Sequence, residues 1–156
     1  MSDKEFMQIA IEEARKGIHL GHGGPFGAVV VKDGKIVGKG HNMVVKINDP
    51  TCHGEVAAIR DACKNLKTFD LKGAKIYTTS EPCPMCLGAV LWANIDEVYY
   101  GCTIQENDMI GFRDEKFYDC LSISTDKVKG KMKQFAHKEC LQLFREYMSI
   151  KNKVEY

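Results

Sequence analysis

The chain predicts an α/β domain, a three-layer α/β/α sandwich around a mixed sheet, and three observations carry that expectation. Segments of strand period alternate with segments of helical period along the sequence. An Asp33-Gly34 turn joins the first two strands as an antiparallel hairpin, whereas helices separate the later ones. The length of 156 residues, 44% of them hydrophobic, suits one domain with a single sizeable core, so residues 1–156 form one unit without repeats or linkers.

Each element has its own signal. Ser2 and Glu5 form a capping-box pair ahead of Phe6, Ile9, Ala10 and Ala14, which share one face of a helix ending near Gly17. Residues 25–31 read as a strand, and residues 35–40 return beside it. Glu55, Val56, Ala58, Ile59, Ala62 and Leu66 have helical spacing, with Asp49, Pro50 and Thr51 upstream as start signals, which puts His53 in a first helical turn. A strand at 75–79 leads to a helix from Cys83, with Pro82 and Pro84 at its opening and Leu87, Val90 and Leu91 along it. Residues 97–101 form another strand, an irregular stretch runs through Phe112, and an amphipathic helix extends from His137 to about Met148. In such a sheet a ligand binds outside the carboxyl end of the strand leading to Cys83.

Composition narrows the function. A formal net charge of +1 and a pI of about 7.6 lie below what a dedicated nucleic-acid binder carries, so no nucleic-acid partner is expected. The alternating Lys127, Lys129, Lys131 and Lys133 read as one side of an edge strand, where lysines block aggregation. There is no apolar run of membrane-spanning length, and the charged amphipathic N-terminal segment lacks a signal-peptide core, so the expected location is cytoplasmic. Seven cysteines, an odd count at irregular spacing, argue against a disulfide framework. Cys63, Cys120 and Cys140 read as small core residues.

The chemistry resides in two short clusters, His53-Gly54-Glu55 and Pro82-Cys83-Pro84-Met85-Cys86. A hydrolytic zinc site takes three protein ligands and leaves the fourth position to water; His53, Cys83 and Cys86 make three. Zn2+ is the expected cofactor. Two thiolates balance the charge of the ion, and Glu55, two positions beyond the His, is the expected general acid/base. Both clusters lie at helix starts, where the helix dipoles favour thiolate over thiol. Two other readings compete. Cys83 and Cys86 suit a redox pair, which leaves His53 and Glu55 unexplained; a closed structural zinc site with Cys52, Cys63 or Cys102 as fourth ligand leaves the carboxylate unexplained.

These clusters carry the His-x-Glu and Pro-Cys-x-x-Cys signature of the zinc nucleobase deaminases. The chain resembles the cytidine deaminase-like superfamily, and the segments GGPFGAVVVKDGKIV, NDPTCHGEVAAIRDACKNL and EPCPMCLGAVLWA resemble bacterial guanine deaminases. The likeness runs to about Gly101, then thins before returning in fragments, including the Glu155-Tyr156 ending. It implies a cytidine deaminase-like fold and hydrolytic deamination of a purine base, guanine to xanthine. The core motifs are shared with tRNA adenosine deaminases and fungal-type cytosine deaminases, and guanosine is a further alternative, so the later part of the chain must decide the substrate.

The same resemblance implies roles for particular residues. Asn42 takes the place of an Asn that hydrogen-bonds the base, although an Asn donates and accepts and so does not identify the base. Gly54 stands where the family usually has Ala and retains the backbone N–H assigned to substrate. Asp114 matches a second acidic residue that would favour guanine over adenine, because an ionised carboxylate only accepts hydrogen bonds; as a further expectation it shuttles a proton to the leaving amine. Phe26, beside a glycine turn, offers a face for a flat ring, with core packing as the rival reading; Phe112 is a second such face. Tyr156 and the helix and tail of residues 137–156 are implied to close a partner subunit's pocket in a homodimer that exchanges this segment.

Overall fold

A computed structural model describes residues 1–156 as a five-stranded mixed sheet, order β2-β1-β3-β4-β5, with helices on both faces. The strands are β1 (Gly27–Lys32), β2 (Lys35–His41), β3 (Lys75–Ser80), β4 (Glu97–Cys102) and β5 (Met132–Gln134). β1 runs antiparallel to both neighbours, while β3, β4 and β5 are parallel. Asp33 and Gly34 turn the hairpin with positive φ, 51° and 73°, the two-residue geometry that matches strand twist.

The sheet is apolar on both sides because both sides are covered. On one face, α1 (Asp3–His19) and α7 (His137–Ser149) bury Phe6, Ile11, Leu143 and Phe144 against Val29, Val31, Tyr77 and Tyr99. On the other, α3 (Gly54–Leu66) and α4 (Pro84–Trp92) bury Ala58, Ala62 and Val90 against Ala28, Val30, Ile76 and Val98. The alternation of Ala28 and Val30 with Val29 and Val31 divides β1 between the two cores, as period two requires.

The principal elements lie where the sequence predicts them, and the Ser2–Glu5 capping box forms. Several expectations need correction. His53 is the residue before α3, with extended φ −73° and ψ 162°, and not in its first turn. Asp49 accepts from the Thr51 backbone and hydroxyl in a local turn, so it does not cap α3. The stretch read as irregular holds α5 (Ile104–Met109) and is followed by α6 (Asp114–Cys120). A short α2 (Val44–Ile47) precedes the first ligand. Both α5 and α6 are too short for a period to emerge, although Thr103 and Glu106 form a capping box at α5. Cys120 ends α6, which buries none of its residues, so this thiol is exposed and outside the core.

The lysine stripe also dissolves. Lys127, Lys129 and Lys131 lie on a 3-10 helix, Asp126–Lys131, where the Val128 N–H returns to the Thr125 carbonyl at 3.0 Å; only Lys133 is on the edge strand β5. Lys133 pairs with Glu97 at 3.2 Å, Lys129 with Asp126 at 3.5 Å, and Lys131 donates to the Ile95 carbonyl at 3.3 Å.

Candidate active site

The carboxyl ends of β2, β3 and β4 meet above α3 and α4, and the ligand clusters converge there. His53 and Cys83 each hold the position just before a helix, with extended backbones, and neither side chain caps its own helix. Pro84 opens α4, where a missing N–H costs nothing. The two imidazole–sulfur distances are 3.6 Å from His53 Nδ1 to Cys83 Sγ and 3.5 Å to Cys86 Sγ. Zinc–nitrogen and zinc–sulfur bonds of about 2.05 and 2.3 Å at a tetrahedral angle would span about 3.6 Å between ligand atoms, so this donor set fits zinc. No fourth side chain joins the cluster, and all seven cysteines are free, Cys52, Cys63 and Cys102 included. That arrangement matches an open catalytic site and neither a closed structural one nor a disulfide.

The two buried thiols act on each other. The Cys86 hydrogen bond, with help from the His53 ring, pulls Cys83 down to about 4 against the cost of burial. The same contact drives Cys86 upward, so one sulfur of the pair holds the negative charge. Burial pushes Glu55 up to about 7, and the charge on Cys83 adds to the rise. A carboxyl group in that range exchanges protons readily near neutral pH.

A small cavity opens beside this cluster, lined by Phe26, Asn42, His53, Glu55, Ser80, Glu81, Cys83, Phe112, Asp114 and Tyr156. Asn42 is completely buried; its Oδ1 accepts from the Val44 N–H at 3.0 Å, while its Nδ2 has no partner. The ambiguity of an amide is thereby removed: Asn42 offers the cavity a donor, and an unpaired buried donor calls for a ligand acceptor. On the other side, Asp114 accepts at Oδ2 from Asn107 Nδ2 at 3.0 Å, and burial with the nearby Cys83 charge raises it to about 6.

Phe26 and Phe112 meet edge to face at 4.7 Å, and Phe112 meets Tyr156 at 5.3 Å. Phe26 also packs edge-on against Phe144 at 5.9 Å, so it serves the core and the cavity at once. The Tyr156 hydroxyl accepts from the Gly24 N–H at 2.9 Å, which places its ring in the wall of the cavity of its own chain. Gly54 is tight against the chain opposite, since a Cβ there would come within 2.9 Å of the Phe26 carbonyl oxygen.

All ten expected site residues therefore gather within one region; Cys86 and Gly54 lie beside the cavity without lining it. Sequence reasoning missed Ser80, Glu81, Asn107 and Tyr118. Glu81 accepts from the Ile104 N–H at 2.9 Å, and the Tyr118 hydroxyl donates to the Pro82 carbonyl at 2.6 Å, which ties α6 to the cysteine loop. Only Glu81, directly before Pro82, had a positional signal.

Against this geometry, the profile of the cytidine and deoxycytidylate deaminase zinc-binding region matches residues 1–102. The chain belongs to that family. This deaminase is a zinc-dependent aminohydrolase. It is 40% identical to guanine deaminase of Bacillus subtilis (strain 168) over all 156 residues and the whole of that relative. The crystal structure of guanine deaminase from Bacillus subtilis covers 100% of this chain and 99% of its own, with a TM-score of 0.76. A structure of guanine deaminase from Nitrosomonas europaea, 26% identical, covers 96% of the deaminase and 86% of its own chain at a TM-score of 0.80. The likeness to tRNA-specific adenosine deaminase of Aquifex aeolicus is 40% over 100 residues, 64% of this chain and 66% of that one. No helix of the deaminase is long and apolar enough to cross a membrane.

Proposed function

We propose that this deaminase hydrolyses guanine to xanthine and ammonia. The observation that carries the reading is the opposed polarity of the cavity walls: an unpartnered Asn42 donor and an Asp114 acceptor flank the metal cluster. In guanine, the carbon bearing the amino group is flanked by N1–H, a donor, with O6 as an acceptor further round the ring. In adenine, the corresponding ring nitrogen is an acceptor, which an ionised Asp114 would repel. Full-length similarity to guanine deaminase supports the same choice.

His53, Cys83 and Cys86 would hold the ion, which when bound supplies water acidified enough to react near neutral pH. Asn42 donates to the base and Asp114 accepts from it, fixing the plane of the ring. Phe26 and Phe112 confine its faces and edge. Glu55 takes the proton from the attacking water and returns protons to the ring and to the leaving amino group. The backbone N–H of Gly54, at the start of α3, is available to the base. Tyr156, in the cavity wall, would limit the entry of bulk water, and full-length similarity to guanine deaminase, against partial similarity to the tRNA enzymes, favours a free base over an anticodon loop.

The reading includes a homodimer in a reducing, cytoplasmic setting. Phe69 and Trp92, each 87% exposed, lie beside Leu91 on one face, a patch of the kind that a second copy covers. Exchange of residues 137–156 would preserve the contacts that α7 makes here within one chain, only between copies. Seven free cysteines, two of them needed as thiolates, suit a reducing compartment.

Ammonia release from guanine, guanosine, cytosine, cytidine, adenine and an anticodon stem-loop tests the substrate. The expected order puts guanine first by at least tenfold in kcat/KM. Preferential turnover of the stem-loop would replace this reading with tRNA editing.

A further inference from the structure

Behind the cavity wall, a buried amide joins two of the lining residues. Ser80 Oγ donates to Asn107 Oδ1 at 2.6 Å, and Asn107 Nδ2 donates to Asp114 Oδ2 at 3.0 Å. Asn107 is 1% exposed and does not line the cavity itself. Its backbone carbonyl accepts from the Phe112 N–H at 3.1 Å and from the Ile110 N–H at 3.2 Å. One residue thus sets the position of both Phe112 and Asp114.

With Asp114 ionised, one arrangement of protons fits this chain of contacts. An ionised carboxylate accepts and never donates, so the amide must turn its NH2 towards Asp114 and its oxygen towards Ser80, whose hydroxyl must then donate. The reverse amide would set two acceptors face to face at 3.0 Å. The hydrogen bond from Asn107 also favours the ionised form of Asp114, opposing the burial that raises it.

We propose that Asn107 is a specificity-determining positioning residue: with Ser80 behind it, it locks Asp114 as a hydrogen-bond acceptor in the cavity wall and so selects bases that present N–H beside the amino-bearing carbon. The inference rests on the guanine reading and deepens it. Asn107 touches no substrate and acts through Asp114. A tether serving only to hold α5 against α6 would make the same contacts, but it would not discriminate between the edges of two bases of one size.

Asn107→Asp makes that distinction. The substitution preserves shape, the backbone bonds and the acceptor for Ser80, but it replaces the donor facing Asp114 with an oxygen. Two carboxyl groups at that separation share a proton, and Asp114 then has a neutral form that can donate. Guanine and 2-aminopurine are the matched probes: both carry the amino group on C2, but N1 is a donor in guanine and an acceptor in 2-aminopurine. The quantity read is the ratio of their kcat/KM values in zinc-loaded protein of native circular dichroism. Wild type should favour guanine, and Asn107→Asp should lower the ratio at least tenfold. Asn107→Ala, which removes the donor without adding charge, should lower it in the same direction and stands in if the Asp variant does not fold. An unchanged ratio in the folded variant overturns the inference while leaving the guanine reading intact, as does a wild-type ratio near one. Wild-type protein that turns over neither base overturns the guanine reading, and the inference with it.

Discussion

Glu55 is a carboxyl group pushed up to about 7 by burial, two residues from a ligand and facing the cavity that would hold a base. A catalytic role for it predicts that Glu55→Gln binds zinc in the same stoichiometry as wild type and loses about 10²-fold to 10⁴-fold in kcat. Zinc content measured beside ammonia release separates that outcome from a metal-only scaffold, in which the substitution changes nothing. Asn42 is subtler, because its useful donor exists only while its carbonyl stays on the Val44 N–H. Gly23 keeps it there: a Cβ at that position would fall 2.1 Å from Asn42 Oδ1. Gly23→Ala should therefore displace the amide and raise KM for guanine by about tenfold, the scale of one lost hydrogen bond. The fold and bound zinc should survive; if KM stays the same, Asn42 does not bind the base. Asn42 was legible as a residue but not as a donor, since the direction of an amide depends on a backbone N–H that only the folded α2 brings to it.

Short elements carry the site, and their legibility differed for a physical reason. α3 repeats apolar residues over enough turns for the period to be read, α4 is announced by its prolines and its apolar run, and their candidate ligands follow from motif and spacing. α5 and α6 offer one or two turns, so nothing in their pattern foretold that Asn107 and Asp114 would meet across the Gly111 bend. The last segment has no period at all, yet Tyr156 reaches the Gly24 backbone and the Phe112 ring. If that contact is a lid, removing residues 154–156 should leave zinc in place and lower kcat/KM at least tenfold through water admitted to the cavity. Steady-state kinetics with metal analysis provide the check; full activity in the truncated protein would make the segment a bystander. An oligomeric state measured on the same variant reads whether the segment also joins subunits.

At the scale of the molecule, a polar link runs between the layers. Glu13 on α1 accepts from the His41 ring at the end of β2 at 2.9 Å, and the other His41 nitrogen meets His22 at 2.8 Å. The His41 contact holds the Glu13 carboxyl below its ordinary 4.5. In acid the unfolded chain therefore takes up a proton at Glu13 before the folded one does, and stability rises with pH across that window. The contribution is complete above about pH 4.5 and is lost as pH falls through the lower folded value. Wild type should accordingly unfold at a higher temperature than Glu13→Gln near neutrality, with the gap closing as the pH falls below 4.5. A gap independent of pH would assign the difference to packing. Neither histidine could be matched with Glu13 from the sequence, because the contact joins residues far apart along the chain. The sequence by itself determined the reaction class, the His53, Cys83 and Cys86 set that could hold a metal, and the layered sheet, since metal chemistry demands particular side chains at short spacing and period reports burial. Only the tertiary structure decided which way Asn42 and Asp114 present their hydrogen bonds, on which the proposed choice of base rests, because the polarity of a cavity wall is set by partners that the fold brings in from behind it.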